Sequence, residues 1–165
     1  MIGSTLIPVA PSWLASLANI SACKNAEDLH CVVHWDTMPE GTHPYERPEE
    51  SLCTNPLSWR VNEELVQASR NQGALPPTGT LNTAIGRAED TPAHQVFESL
   101  GTPIEEQTWA QCKEGTLYVN NEQGTGFEID PMGTYHQADY ALFYMNIHNN
   151  AKLRSSRYLA SAGLQ

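Results

Sequence analysis

Apolar positions along this chain fall into two rhythms, and the clearer one lies near the C-terminus. Between Tyr135 and Leu159, apolar or aromatic residues stand at Tyr140, Phe143, Tyr144, Ile147, Ala151 and Tyr158. Steps of three and four residues gather such positions on one side of an α-helix. The tract therefore predicts one long amphipathic helix from about Gln137 to Ala160. His136 stands at its mouth, after a turn at Asp130-Pro131-Met132-Gly133.

The other rhythm is that of short strands. Met1 to Val9 reads as the end of a buried strand. His30 to Trp35 is a β-rich run bounded by polar residues, which predicts a strand with Asp36 directly after it. Trp109–Cys112 and Thr116–Asn120 flank Lys113-Glu114-Gly115, the pattern of a tight hairpin turned at Gly115. Gly124 and Gly126 turn the chain into a further strand at Phe127–Ile129. Two shorter helices are expected. One runs from a capping Ser12 to Asn19, with Trp13, Leu14 and Leu17 inward; the other runs from Val61 to Asn71 and ends at Gly73. Ser21 to Leu29 reads as polar loop. Between residues 37 and 108, Pro39, Pro44, Pro48, Pro56, Pro76, Pro77, Pro92 and Pro103 interrupt regular structure. That stretch predicts a Pro-rich, lid-like excursion within a single domain spanning 1–165. The expected fold class is α/β: a few strands, at least partly parallel, a β-hairpin and a long C-terminal helix.

Length and charge narrow the picture. The 165 residues suffice for one domain with a core of its own. A net charge of −10 argues against a nucleic-acid backbone or an anionic membrane as partner, since both need cationic surface. No run approaches the roughly 20 apolar residues of a membrane span. Ile20-Ser21-Ala22-Cys23 has the form of a lipoprotein cleavage site, yet the first cationic residue is Lys24, and Pro8 and Pro11 interrupt the preceding run. An internal strand-loop-helix is the expectation there. Gly124-Thr125-Gly126 is too short to cradle a phosphate, and no cofactor is expected.

Cys23, Cys31, Cys53 and Cys112 match no zinc spacing. Their even count allows two disulfides, Cys23 with Cys31 closing a short loop and Cys53 with Cys112 a long one. The long bridge would tether the least regular part of the chain, where a cross-link has most leverage. Four reduced cysteines in a cytoplasmic protein are the alternative, whereas bridged ones favour an exported or periplasmic location.

Asp36 after one strand and His136 after a later one give the acid-then-base order of α/β-hydrolases. In that chemistry a histidine accepts the nucleophile's proton while a carboxylate holds its other ring nitrogen. No Gly-x-Ser-x-Gly occurs, and Ser4 in Gly3-Ser4-Thr5 has nothing to make its turn sharp, so the nucleophile is absent. His30 and His34, four apart, would share one face of their strand. They could bind a metal with a distant carboxylate, but lacking a third ligand they are expected on a wet sheet face, and no metal is expected. His43, His94 and His148 read as loop or exposed helix. Glu49-Glu50, Glu63-Glu64 and Glu105-Glu106 read as solvated pairs.

Four segments, in order, carry a family resemblance. They are Cys31-Val32-Val33-His34-Trp35-Asp36-Thr37, Cys53-Thr54-Asn55-Pro56-Leu57-Ser58-Trp59, Cys112-Lys113-Glu114-Gly115-Thr116-Leu117-Tyr118-Val119, and Tyr135-His136 with Asp139-Tyr140-Ala141-Leu142-Phe143-Tyr144-Met145-Asn146-Ile147 and Asn150-Ala151. Together they resemble the domain-of-unknown-function family 3089, an α/β-hydrolase-like family found mainly in bacteria. The resemblance covers nearly the whole chain but only the back half of the family domain. Family members carry a Gly-His-Ser-Gln-Gly nucleophile elbow upstream, and Met1-Ile2-Gly3 resembles the strand that follows the elbow helix. The resemblance implies a catalytic base at His136. It puts Asp36 in the acid's topological slot, where similar proteins often have Asn, with Asp139 as the fallback acid. It also favours both disulfides.

The implied function is the C-terminal portion of a serine-hydrolase-like, esterase- or lipase-type protein acting on an ester or other acyl substrate. Alone it would be inactive, its serine coming from an N-terminal segment or a partner chain. The alternative is a non-catalytic binding or interaction module on the same scaffold. Half an α/β sheet exposes an edge and an apolar face, which invites self-association.

Overall fold

The computed structural model describes residues 9–43, 51–76, 101–127 and 129–163. All but the last residue of the expected Met1–Val9 strand, together with Ser4, His94 and Glu49-Glu50, lies outside them. In chain order the elements are α1 (Pro11–Ala15), β1 (Ser21–Ala22), β2 (Cys31–Val32), β3 (Thr37–Pro39), β4 (Ala110–Lys113), β5 (Thr116–Val119), α2 (Asp139–Leu142) and α3 (Tyr144–Ser161), with single 3₁₀ turns at Ala68–Arg70 and His136–Ala138. Helices and small sheets are mixed, so the class is α/β.

The larger sheet has the order β3-β5-β4. The expected hairpin forms its antiparallel half, with Ala110 opposite Val119 and Lys113 opposite Thr116. Glu114 and Gly115 turn it with φ of 50° and 75°. Positive φ at both central residues is the twist-matched geometry for a two-residue hairpin. β3 then pairs with β5 in parallel, Thr37 opposite Leu117 and Pro39 opposite Val119. Pro39 is tolerated because β3 lies on the sheet edge, where the missing N–H breaks no ladder.

Several expected elements change form. The strand placed at His30–Trp35 shrinks to β2, which pairs in parallel with the two-residue β1. Beyond Val32 its neighbour is exhausted, and the chain moves to β5. Asp36 therefore precedes a strand instead of following one. Thr37–Pro39, expected as the start of a loop, is buried strand. Ser12 is not a cap: α1 begins on Ala10 with Pro11 in its first position and ends at Ala15, so Trp13 is 48% exposed while Leu14 is buried. Val61–Asn71 does not form a helix. Val66 instead exchanges both backbone hydrogen bonds with Ala110, at 2.9 and 3.0 Å, extending the free edge of β4. Phe127 is fully buried, yet neither it nor Ile129 belongs to a strand.

The long C-terminal helix is broken at Phe143, whose φ is −122°. The cause is the segment 71–75 crossing against it. Met145 N–H, which an unbroken helix would send to Ala141, donates to the Gly73 carbonyl at 3.0 Å. The Ala141 carbonyl accepts from Leu75 N–H at 2.8 Å, and the Leu142 carbonyl accepts from Asn71 Nδ2 at 3.0 Å. Asn146 returns the favour, accepting from Gln72 N–H and donating to the Arg70 carbonyl. Such close passage requires Gly73: its φ is +145°, and a Cβ there would lie 2.8 Å from Pro103 Cβ and 2.9 Å from Met145 Cγ.

The main core joins Trp35, Trp59, Leu117, Val119, Phe127, Tyr135, Leu142 and Phe143. Trp35 meets Trp59 and Phe143 edge-on, at centroid distances of 6.3 and 6.4 Å. A smaller cluster of Val9, Leu14 and Leu52 lies under α1. Both disulfides are present, Cys23–Cys31 and Cys53–Cys112. The second fastens the buried 51–57 segment to β4. The described parts of 37–108 thus supply core residues, while 44–50 and 77–100 lie outside the described residues. No helix among the described residues is long and apolar enough to cross a membrane.

Candidate active site

The site begins with a turn. Asp130 Oδ1 accepts from the N–H groups of Met132 (2.8 Å) and Thr134 (3.0 Å), closing the reversal expected at 130–133. Thr134 in turn accepts from His136 N–H at 3.2 Å. Tyr135 N–H donates to the Thr37 carbonyl at 2.8 Å, docking the turn on β3. The Tyr135 ring is wholly buried, and its hydroxyl accepts from Glu122 N–H at 2.6 Å. His136 is thereby delivered at the start of a 3₁₀ turn with Asp139 three residues on.

β3 supplies the other wall. The Asp36 carbonyl accepts from Leu117 N–H at 3.0 Å, which fixes its backbone beside the sheet. Thr37 donates both its N–H (3.1 Å) and its hydroxyl to Asp139 Oδ1. This pins α2 to β3 and leaves Asp139 Oδ2 turned toward the histidine. His136 Nδ1 lies 3.4 Å from Asp139 Oδ2 and 3.8 Å from Asp36 Oδ1. Both carboxylates are fully buried, whereas the imidazole side chain is 42% exposed.

Burial disfavours charge on Asp139 and pushes its pKa up to about 7, against the pull of His136 and Thr37 and with the help of the Asp36 charge. The His136 pKa is raised, first by its hydrogen bond to Asp139; burial opposes this, and the charges of Asp139, Asp36 and Asp130 add to it. These two shifts describe one coupled event. Two adjacent carboxylates in a dry wall retain a proton between themselves and the imidazole to higher pH than a free carboxylate would.

Asp36, His136 and Asp139 are thus brought together. Asp139, the fallback acid, is the nearer to the imidazole and the one whose contacts orient it. Thr37, Thr134 and Asp130 were not named as site residues from sequence, although Asp130 was read as opening the turn. The Asp-Pro-x-Gly-Thr turn was a usable signal for Asp130 and Thr134; nothing in the spacing signalled Thr37, which meets Asp139 from 102 residues away. The other histidines separate. His34 is buried rather than on a wet face, its Nδ1 donating to the Leu52 carbonyl at 2.6 Å. His30 sits at φ 58° and meets the Tyr158 ring edge-on, so the two share no strand face. His43 and His148 are exposed, as are Glu63-Glu64 and Glu105-Glu106. Comparison with protein-family models, with curated proteins and with solved structures found no match for the chain.

Proposed function

We propose that this chain is the acid-and-base portion of a serine-hydrolase-like protein of the esterase or lipase type, on an α/β-hydrolase-like scaffold similar to the domain-of-unknown-function family 3089. One observation carries the reading: Nδ1 of His136 faces two buried carboxylates while the ring is half exposed. Acyl transfer asks for that polarity. One ring nitrogen, Nε2, takes the proton of a serine hydroxyl as its oxygen attacks the acyl carbon, then returns it to the leaving alkoxide. The other nitrogen is held by a carboxylate that fixes the tautomer and stabilises the imidazolium. Asp139 is the orienting acid, with Asp36 adding charge behind it. The serine is assigned to a segment other than those that build this site, in an N-terminal region or a second chain. The substrate class is an ester or similar acyl compound, and the two disulfides fit an oxidising, exported location.

The reading is tested on the purified chain. A short-chain nitrophenyl ester should be hydrolysed no faster than by free imidazole, and a serine-directed fluorophosphonate should not label the protein. Rapid turnover abolished by His136→Ala would show that the nucleophile lies within these residues and overturn the split arrangement. A His136 that titrates identically before and after Asp139→Asn would overturn the acid–base pair itself.

A further inference from the structure

We propose that Asp36, His136 and Asp139 also form a binding site for a first-row divalent metal ion, with zinc(II) the best match. The donor set is one imidazole nitrogen and two carboxylate oxygens, all within 4.8 Å of one another. Three protein ligands with a fourth position left open is a common zinc arrangement, while magnesium and calcium prefer oxygen alone. The spacing agrees. Zinc bonds of about 2.0–2.1 Å in a tetrahedron set ligand atoms about 3.4 Å apart. His136 Nδ1 stands 3.4 Å from Asp139 Oδ2 and 3.8 Å from Asp36 Oδ1, so these two edges close with a few tenths of an ångström, and the edge between the two carboxylates starts within 4.8 Å.

A separate observation points to a ligand. Asp139 Oδ2 is buried, and among the described residues no donor outside the trio bonds it; only His136 Nδ1 faces it, at 3.4 Å. Oδ2 is aimed at the centre of the trio because Thr37 holds the other oxygen with two donors. Outer contacts of this kind orient metal-binding carboxylates. Exposed acidic groups such as Glu63 and Glu64 lack this: Glu63 accepts from Glu114 N–H at 3.2 Å, and Glu64 lies 3.9 Å from Arg60. The imidazole, 42% exposed, is the member of the trio that reaches solvent. No spacing in the sequence announces the site, since its ligands stand at 36, 136 and 139.

Occupation has a consequence. A metal on Nδ1 leaves the neutral imidazole's proton on Nε2, so the ring no longer accepts a proton there. Zinc would then inhibit the acyl chemistry. This consequence rests on the proposed hydrolase reading; the metal site does not.

The test uses the whole chain, stripped with EDTA and dialysed, and titrated calorimetrically with zinc chloride; cobalt(II) serves as a visible-absorption probe of tetrahedral geometry. One ion per chain is expected, with affinity falling about tenfold or more in Asp139→Asn and about tenfold in Thr37→Val. His136→Gln should abolish binding, and His148→Gln should leave it unchanged. Because Asp139→Asn also touches β3, its thermal unfolding in EDTA is compared with the parent; if it fails to fold, His136→Gln at a half-exposed position decides. Absence of binding, or binding undiminished in His136→Gln, overturns the site. Zinc binding without a coupled His136–Asp139 titration would sink only the hydrolase reading. A coupled titration without zinc binding would sink only the metal.

Discussion

Residues 134–142 and residues 151–161 belong to one C-terminal tract, yet the first is walled into the protein and the second stands in solvent. In the first, Tyr135, Ala138, Asp139 and Leu142 are buried, tied to β3 and to the 71–75 segment by backbone and carboxylate hydrogen bonds. In the second, Tyr158 is 52% exposed, and attachment runs through polar tips. Arg154 reaches the Cys23 sulfur at 3.1 Å and lies over the Trp59 ring; Arg157 pairs with Glu27 at 3.0 Å. The difference lies in what each half faces. A sheet edge and an extended strand offer backbone groups and apolar surface in register. The Cys23–Cys31 loop offers only a rim. The candidate site sits where the wall is dry, and a carboxylate orients an imidazole firmly only when water does not compete for it.

The comparison is broken most severely at its boundary. Phe143 is fully buried against Trp35, so Phe143→Ala should cost about 3–5 kcal/mol, read from the denaturant midpoint at constant slope. Gly73→Ala attacks the same joint from the facing segment. The Cβ overlap with Pro103 and Met145, together with the positive φ, should cost about 2–3 kcal/mol. An unchanged midpoint in that variant would contradict the account of the helix break.

The trio itself sharpens the comparison through pH. The pKa of Asp139 in the fold, about 7, is above its ordinary 3.8. The folded chain therefore holds a proton that the unfolded chain releases, and the associated stability is fully present below the ordinary value and lost as pH rises toward 7. The raised His136 acts in the same direction, its share disappearing as pH climbs through the folded pKa. Denaturant midpoints should fall as pH rises from about 4 through about 7, and Asp139→Asn should flatten that fall. In the same variant the His136 resonances should titrate lower than in the parent, because its largest raising influence is gone. The smallest effect is expected at the far end of the tract. Tyr158→Ala, which removes only an edge contact with His30, should change stability by less than about 0.5 kcal/mol.

Local chemistry was legible in the residues. Lys113-Glu114-Gly115 between two β-rich runs announced the hairpin, although Lys113 itself pairs with Thr116; Asp130 to Gly133 announced the turn before His136, and the acidic pairs at 63–64 and 105–106 were exposed as their charge demands. These features depend on neighbours within a few positions, where φ preferences and short hydrogen bonds decide the outcome. The candidate acid and base could be named, Asp36 by its place after an apolar run and His136 by its place before a helix. Their ranking could not, since Asp139 outranks Asp36 only because Thr37 fixes its carboxylate.

Spacing alone assigned Tyr140 and Tyr158 to the inner face of one helix, and they are 55% and 52% exposed. Asn146 and Asn150 are buried in their stead, Asn146 because segment 71–75 brings backbone groups that its amide can satisfy. Amphipathic spacing reports that a helix has a face; it carries no information about which strand will pass beside it, or where that strand will take over the helix's own hydrogen bonds. Those contacts join residues some 70 to 100 positions apart. The tertiary fold alone decides them, because the energy of burying a polar group depends on the partner it finds and not on its place in the chain.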